Sequence, residues 1–140
     1  MAKKIGIDFG LKRTGLSMTD SSNIIASPLT TVDSIHLMNF LKQLVEKEQI
    51  DTIVLGEPKR LNNAATHITE NVKLLQQALM KSFPEIEIVL LDERYTSKLA
   101  MQSIHSMGLK KNKREDKGLV DQISATLILQ SYLERLQFLK

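Results

Sequence analysis

Three acidic residues stand at places from which carboxylates can converge. Asp8 ends the apolar run Lys4-Ile5-Gly6-Ile7-Asp8-Phe9-Gly10, Glu93 ends the run Ile86 to Arg94, and Asp121 opens the last long helical pattern. Side chains at the ends of strands and helices can meet although they are far apart in sequence. A set of oxygen-rich groups suits Mg²⁺ or Mn²⁺, which prefer carboxylate and water ligands. The chain is basic, with a net charge of +3 and a pI of about 9.2. Such a site in such a chain points to metal-assisted cleavage of a phosphodiester. Two ions about 3.5–4 Å apart can activate water and neutralise the charge that builds on phosphate oxygens.

Each acid also has a plainer reading. Asp8 could form a strand-end turn beside Gly10, and Glu93 could pair with Arg94 on the surface. Asp92 should point to the opposite face from Glu93 by strand alternation. Asp121 in the first turn of a helix would stabilise the helix dipole. It nevertheless shares a stripe with Ala125, Ile128 and Tyr132, and an acid facing the core needs a partner, which a metal would provide. Glu57 ends another apolar run, Asp51 to Gly56. It could be a fourth ligand near Asp8, or it could pair with Lys59 or Arg60.

Cations offer phosphate contacts. Arg13 follows the Asp8 run directly, Arg94 follows Glu93, and Lys110, Lys111, Lys113 and Arg114 put four cations in five positions. Arginine holds phosphate bidentately through its planar fork, and a dense basic run attracts polyanions. Aromatic residues are only 4%, with no tryptophan, so base stacking should not dominate binding. His36, His67 and His105 show no ligand spacing.

The elements that must position these groups follow from periodicity and breakers. Residues 3–9 read as a strand, Gly10 to Gly15 as a turn, and 15–20 and 23–32 as two more strands in an antiparallel meander. Ser34 should cap a helix through residue 48, with Leu37, Phe40, Leu41, Leu44 and Val45 on its buried stripe. Residues 51–56 read as a buried parallel strand, followed by a loop at 57–63. A helix then runs to about residue 82, with Ile68, Val72, Leu75 and Leu79 at helical spacing. Residues 86–91 form another strand, Ser97 caps a helix through Met107, 110–117 is a charged loop, and 118–138 is the final helix. The order β-β-β-α-β-α-β-α-α implies a mixed five-stranded sheet with helices on both faces. Ligands in such sheets sit at the carboxyl ends of the parallel strands, where Asp8, Glu57 and Glu93 fall.

A length of 140 residues favours one domain, spanning 1–140. The absence of cysteine excludes disulfides and thiolate metal sites. No apolar run approaches the roughly 18 residues of a membrane span. The N-terminus enters a strand pattern without the apolar core of a signal peptide, so no membrane and a cytoplasmic location are the expectation.

Four segments together resemble the YqgF/RuvX family. They are Gly6-Ile7-Asp8-Phe9-Gly10 with Lys12-Arg13-Thr14-Gly15, Val54-Leu55-Gly56-Glu57-Pro58, Leu91-Asp92-Glu93-Arg94-Tyr95-Thr96-Ser97, and Lys117-Gly118-Leu119-Val120-Asp121-Gln122-Ile123-Ser124-Ala125. They run in order along nearly the whole chain. The resemblance implies a ribonuclease H-like α/β fold, with three antiparallel N-terminal strands and two parallel ones. It implies a nuclease with Asp8, Glu93 and Asp121 as catalytic and metal-holding residues, selects Glu93 over Asp92, and places Lys117 near the metals. It implies one of two roles and leaves both open: maturing the 5′ end of precursor 16S rRNA, with possible ribosome association, or resolving Holliday junctions. A resolvase would favour a homodimer with two symmetric sites, whereas trimming one RNA end suits a monomer. In one place the chain departs from the family, where the loop after the fourth strand usually reads Gly-Leu-Pro. Here Glu57 replaces the leucine and Lys59-Arg60 follow, which should alter substrate contacts.

Two other classes compete. Actin-like phosphotransferases open with a similar Ile-Asp-Phe-Gly strand, but they clamp nucleotide between two such domains and this length supplies one. A non-catalytic RNA- or ribosome-binding module would not need the acid set.

Overall fold

The computed structural model describes residues 2–57, 67–92 and 117–138. Their elements are β1 (Lys3–Phe9), β2 (Arg13–Thr19), β3 (Ala26–Asp33), a 3₁₀ turn (Ser34–His36), α1 (Leu37–Lys47), β4 (Ile50–Glu57), α2 (His67–Ser82), β5 (Glu87–Asp92) and α3 (Lys117–Phe138). The sheet order is β3-β2-β1-β4-β5. β1, β2 and β3 pair antiparallel, and β4 and β5 lie parallel to β1. This is the expected mixed sheet. The helix expected at 97–107 lies outside the described residues.

Strand alternation divides the sheet into two faces. Ile5, Ile7, Leu16, Ile53 and Leu55 are fully buried on one face, where they pack with Leu37 and Leu41 of α1 and Val72 and Leu79 of α2. Val54 and Leu91 point the other way and pack with Ile128, Leu129, Tyr132 and Leu133 of α3. Both faces of β4 are therefore covered, which explains its near-continuous apolar run.

α3 lies directly on the strand backbone. A Cβ placed on Gly6 would come within 2.7 Å of the Ala125 carbonyl oxygen and of Leu129 Cβ. One placed on Gly15 would collide with the Asp121 carbonyl. Gly6 and Gly15 share the α3 face, and without side chains they let the helix axis approach the sheet. Polar contacts then fix the helix along its length. Thr31 Oγ1 donates to the Gly118 carbonyl at 2.6 Å, Ser17 Oγ donates to the Ala125 carbonyl at 2.7 Å, and Gln130 Oε1 accepts from the Ala26 N–H at 3.0 Å.

Two local readings are corrected by side-chain chemistry. β3 begins at Ala26 rather than 23, because the Asp20 carboxylate accepts the N–H groups of Ile24 and Ile25 at 2.9 and 3.2 Å, and Asn23 adopts a left-handed φ of 58°. Asparagine tolerates that conformation and favours turns. Ser34 does not cap α1. It lies in the 3₁₀ turn, where no side chain caps either helix start, and its hydroxyl is bonded to Gly10 and Thr14.

Gly15→Ala should lower unfolding free energy by about 1–3 kcal/mol or more, the usual cost of overpacking, read as a shift in denaturant midpoint at constant slope. A second prediction concerns acid. The N–H groups of Ile24, then Ile25, hold the Asp20 carboxyl below its ordinary range. A depressed folded pKa gives stability that is present above the unfolded value and lost as pH falls. The stability advantage of wild type over Asp20→Asn should therefore shrink between neutral pH and about pH 3, near and below the ordinary aspartate pKa. Chemical denaturation across that range measures it.

Candidate functional site

Asp8 sits near the carboxyl end of β1, with Gly15 of β2 as its cross-strand partner. Ile7 packs toward α1 and α2, so alternation turns Asp8 toward α3. The helix runs antiparallel to β1. Its second turn lies at Gly15 and its middle at Gly6. Near its far end, burial raises the Tyr132 phenol pKa, and Glu87 and Asp51 at the starts of β5 and β4 raise it further. The close approach at Gly15 thus brings Asp121 to the strand that neighbours Asp8.

Arg13 completes the cluster. It opens β2 on the same face as Gly15, and its Nε donates to Asp121 Oδ2 at 2.7 Å. The two side chains are 38% and 22% exposed, so the pair lies at the rim rather than in the core. Asp121 is the fifth residue of α3, and the first turn carries no acid. The helix-dipole reading therefore fails, because that effect fades beyond the first turn. The partner its core-facing position demanded is, in this structure, the Arg13 guanidinium. Nothing local in the sequence announces a pair 108 positions apart. A usable signal was the two glycines on one face of β1 and β2, which mark where a helix can lie close.

The structure pairs Arg13 with Asp121 and puts both on the sheet face of Asp8. Glu57 starts from the other face. Leu55 faces α1 and α2, so alternation sends Glu57 to that face, where its ladder partner is Asp92. By strand parity, Glu57 and Asp8 start from opposite faces of the sheet. Lys117 is the first residue of α3. Glu93, Arg94, Lys110, Lys111, Lys113 and Arg114 lie outside the described residues.

Among the described residues, no three His, Cys, Asp or Glu side chains form a metal-holding group. Two carboxylates on one face, Asp8 and Asp121, are nonetheless hard oxygen donors of the kind Mg²⁺ and Mn²⁺ take. Among the described residues, Arg13 donates through Nε to one oxygen of Asp121. Among the described residues no helix is long and apolar enough to cross a membrane.

Comparison with known proteins adds findings of three kinds. The model of a family described as RuvX, Holliday junction resolvase, matches residues 2–135. A protein of Bacteroides thetaiotaomicron named as a candidate pre-16S rRNA nuclease is 44% identical over 138 residues, spanning 99% of this chain and 100% of its own length. One of Phocaeicola vulgatus with the same name is 45% identical over 139 residues, at 99% and 100% coverage. Among solved structures, RuvC of Thermus thermophilus in complex with a Holliday junction substrate superposes with a TM-score of 0.59 at 14% identity, covering 97% of this chain and 96% of that one. The fowlpox virus resolvase with its substrate Holliday junction DNA gives 0.55 at 14% identity, covering 96% and 98%. Identity that low speaks to the fold alone, and the fold is ribonuclease H-like.

A double-mutant cycle on Arg13→Ala and Asp121→Ala should give a coupling of about 0.5–1 kcal/mol, typical of a rim ion pair. Repeating it in 1 M salt should roughly halve that coupling, since the Debye length falls to about 3 Å.

Proposed function

The chain belongs to the RuvX family, and from that premise we propose that it is a divalent-metal-dependent nuclease that processes the 5′ end of precursor 16S rRNA in the cytoplasm. It is an enzyme that hydrolyses phosphodiesters in nucleic acid. The observation that supports the metal-dependent reading is that Asp8 and Asp121 share the α3 side of the sheet, with the Asp121 backbone against the ladder partner of Asp8 and its carboxylate on Arg13. The choice of RNA is supported by full-length relatives at 44–45% identity that carry the pre-16S rRNA name. Action on a DNA junction is the second reading, favoured by the family's description.

Asp8, Asp121 and Glu93 would hold Mg²⁺ or Mn²⁺, and the ions when bound supply Lewis acidity at the phosphate and an activated water. The remaining work falls to the chain. Asp8 and Asp121 hold negative charge in a fixed place on a rigid sheet and helix. Arg13 keeps the Asp121 carboxylate turned toward β2 and, bonded through Nε among the described residues, would turn its terminal N–H groups to a phosphate oxygen. Arg94, Lys110, Lys111, Lys113, Arg114 and Lys117 would hold the flanking backbone of the nucleic acid. Glu57 has no part in this set because of its face. A monomer suffices to trim one RNA end and to dock on a ribosomal particle, while a junction would call for a homodimer.

Asp8→Asn and Asp121→Asn should each cut Mg²⁺- or Mn²⁺-dependent cleavage of a labelled 16S precursor leader by about 100-fold or more, since several kcal/mol of charge stabilisation is lost. EDTA should abolish cleavage by the wild type. Asp8→Asn cleaving like wild type would sink the site. Faster cleavage of a four-way DNA junction than of the leader RNA would transfer the assignment to the second reading. Depleting the protein should leave 5′-extended 16S precursors, and normal ends would count against RNA maturation.

A further inference from the structure

The turn that carries Arg13 is held by hydrogen bonds more than by packing. Leu11 at its tip is 58% exposed, and Lys12 is exposed beside it. Ser34, immediately after β3, reaches the turn at three points. Its hydroxyl donates to the Gly10 carbonyl at 2.5 Å, its N–H donates to the Lys12 carbonyl at 2.9 Å, and its oxygen lies 2.8 Å from Thr14 Oγ1. A serine hydroxyl has one proton. Since that proton goes to Gly10, the Thr14 hydroxyl donates to Ser34. Thr14 is fully buried, so this end of the network is anchored in the core.

The three contacts bracket Arg13: Gly10 and Lys12 precede it and Thr14 follows. Arg13 is also the ladder partner of Asp33, the residue before Ser34. The hydroxyl is not spent on a helix cap, because neither the 3₁₀ turn nor α1 has a side-chain cap bond. Its bonds go to the two residues that flank the Leu11–Arg13 segment.

We propose that Ser34 is a positioning residue for the active site: it clasps the Gly10–Arg13 turn and so aims the Arg13 guanidinium at Asp121. The chain of action runs from the buried Thr14, through Ser34, to the turn, to Arg13 and to the Asp121 carboxylate. For its effect on catalysis the inference rests on the nuclease reading above; for its effect on Arg13 it does not. A misplacement of about 1 Å at a reacting centre can cost 100-fold in rate, so loss of a clasp well away from the carboxylates should be felt there.

The test reads Arg13 directly in metal-free protein. In ¹⁵N-labelled wild type the Arg13 Nε–H, assigned by its loss in Arg13→Lys, should give a slowly exchanging signal that Asp121→Asn displaces. Ser34→Ala should broaden that signal or move it to the position of a solvated arginine, whereas Ser34→Thr, which keeps the hydroxyl, should retain it. In turnover with Mg²⁺, Ser34→Ala should lower kcat by about 10- to 100-fold, and Ser34→Thr should restore most of it. If Ser34→Ala folds poorly, Thr14→Val keeps the core volume and the Ser34–Gly10 bond while removing one arm, and it should shift the same signal in the same direction. An Arg13 signal unchanged in Ser34→Ala, or in Thr14→Val where that variant stands in, overturns the proposal. Absence of cleavage by the wild type on every substrate overturns the nuclease reading instead, and the spectroscopic arm still decides the clasp.

Discussion

The contact on which the described structure depends is that of α3 with bare strand backbone at Gly6 and Gly15. Interiors are close-packed, and a helix cannot sit this near a sheet over side chains. Removing two Cβ atoms from one face of β1 and β2 lets helix carbonyls approach the strands, where Ser17 and Thr31 donate to them. The result is a fixed height and a fixed register for the helix. Asp121 reaches the strand beside Asp8 because the backbone of its own residue rests on the cross-strand partner of Asp8.

Charge follows from that geometry. A carboxylate on the core-facing stripe of a helix is costly to leave without a partner. Arg13 meets Asp121 at the rim, half-exposed, where desolvation is modest and the pair can open to other ligands. A deep ion pair would resist exchange, because separating buried charges is expensive. The rim position suits a site whose carboxylates must serve a cation and whose arginine must serve a phosphate. Strand parity starts Glu57 from the opposite face, although it ends the strand next to β1.

Much of this was legible in residue patterns. The alternating and continuous apolar runs marked all five strands, and the stripe Ala125, Ile128 and Tyr132 gave α3 its buried side. Breakers such as Pro84 marked element ends to within a few residues. Errors came where side chains compete with backbone. Asp20 and Asn23 shape the β2–β3 turn and delay β3, and Ser34 spends its hydroxyl on a neighbouring turn instead of a helix start. Propensity describes a residue's local options, and in both cases a specific hydrogen bond chose among them. At the site, Asp8 and Asp121 were readable as acids at element ends. The role of Arg13 as the partner of Asp121 was not, since the two meet only after three strands and a helix are stacked.

Sequence alone determined the chemistry available: which acids and cations exist, that this sequence holds no cysteine, the order of the described strands and helices, and the family resemblance that the comparisons bear out. Those properties are local or cumulative along the chain. The tertiary structure alone decided which acids share a face, that Glu57 and Asp8 start from opposite faces, and that Arg13 stands against Asp121 on a turn bonded to Ser34. Such relations depend on register and on the distance of closest approach. Shifting a strand by one residue exchanges its two faces, and one methyl group at Gly15 would hold the helix off the sheet.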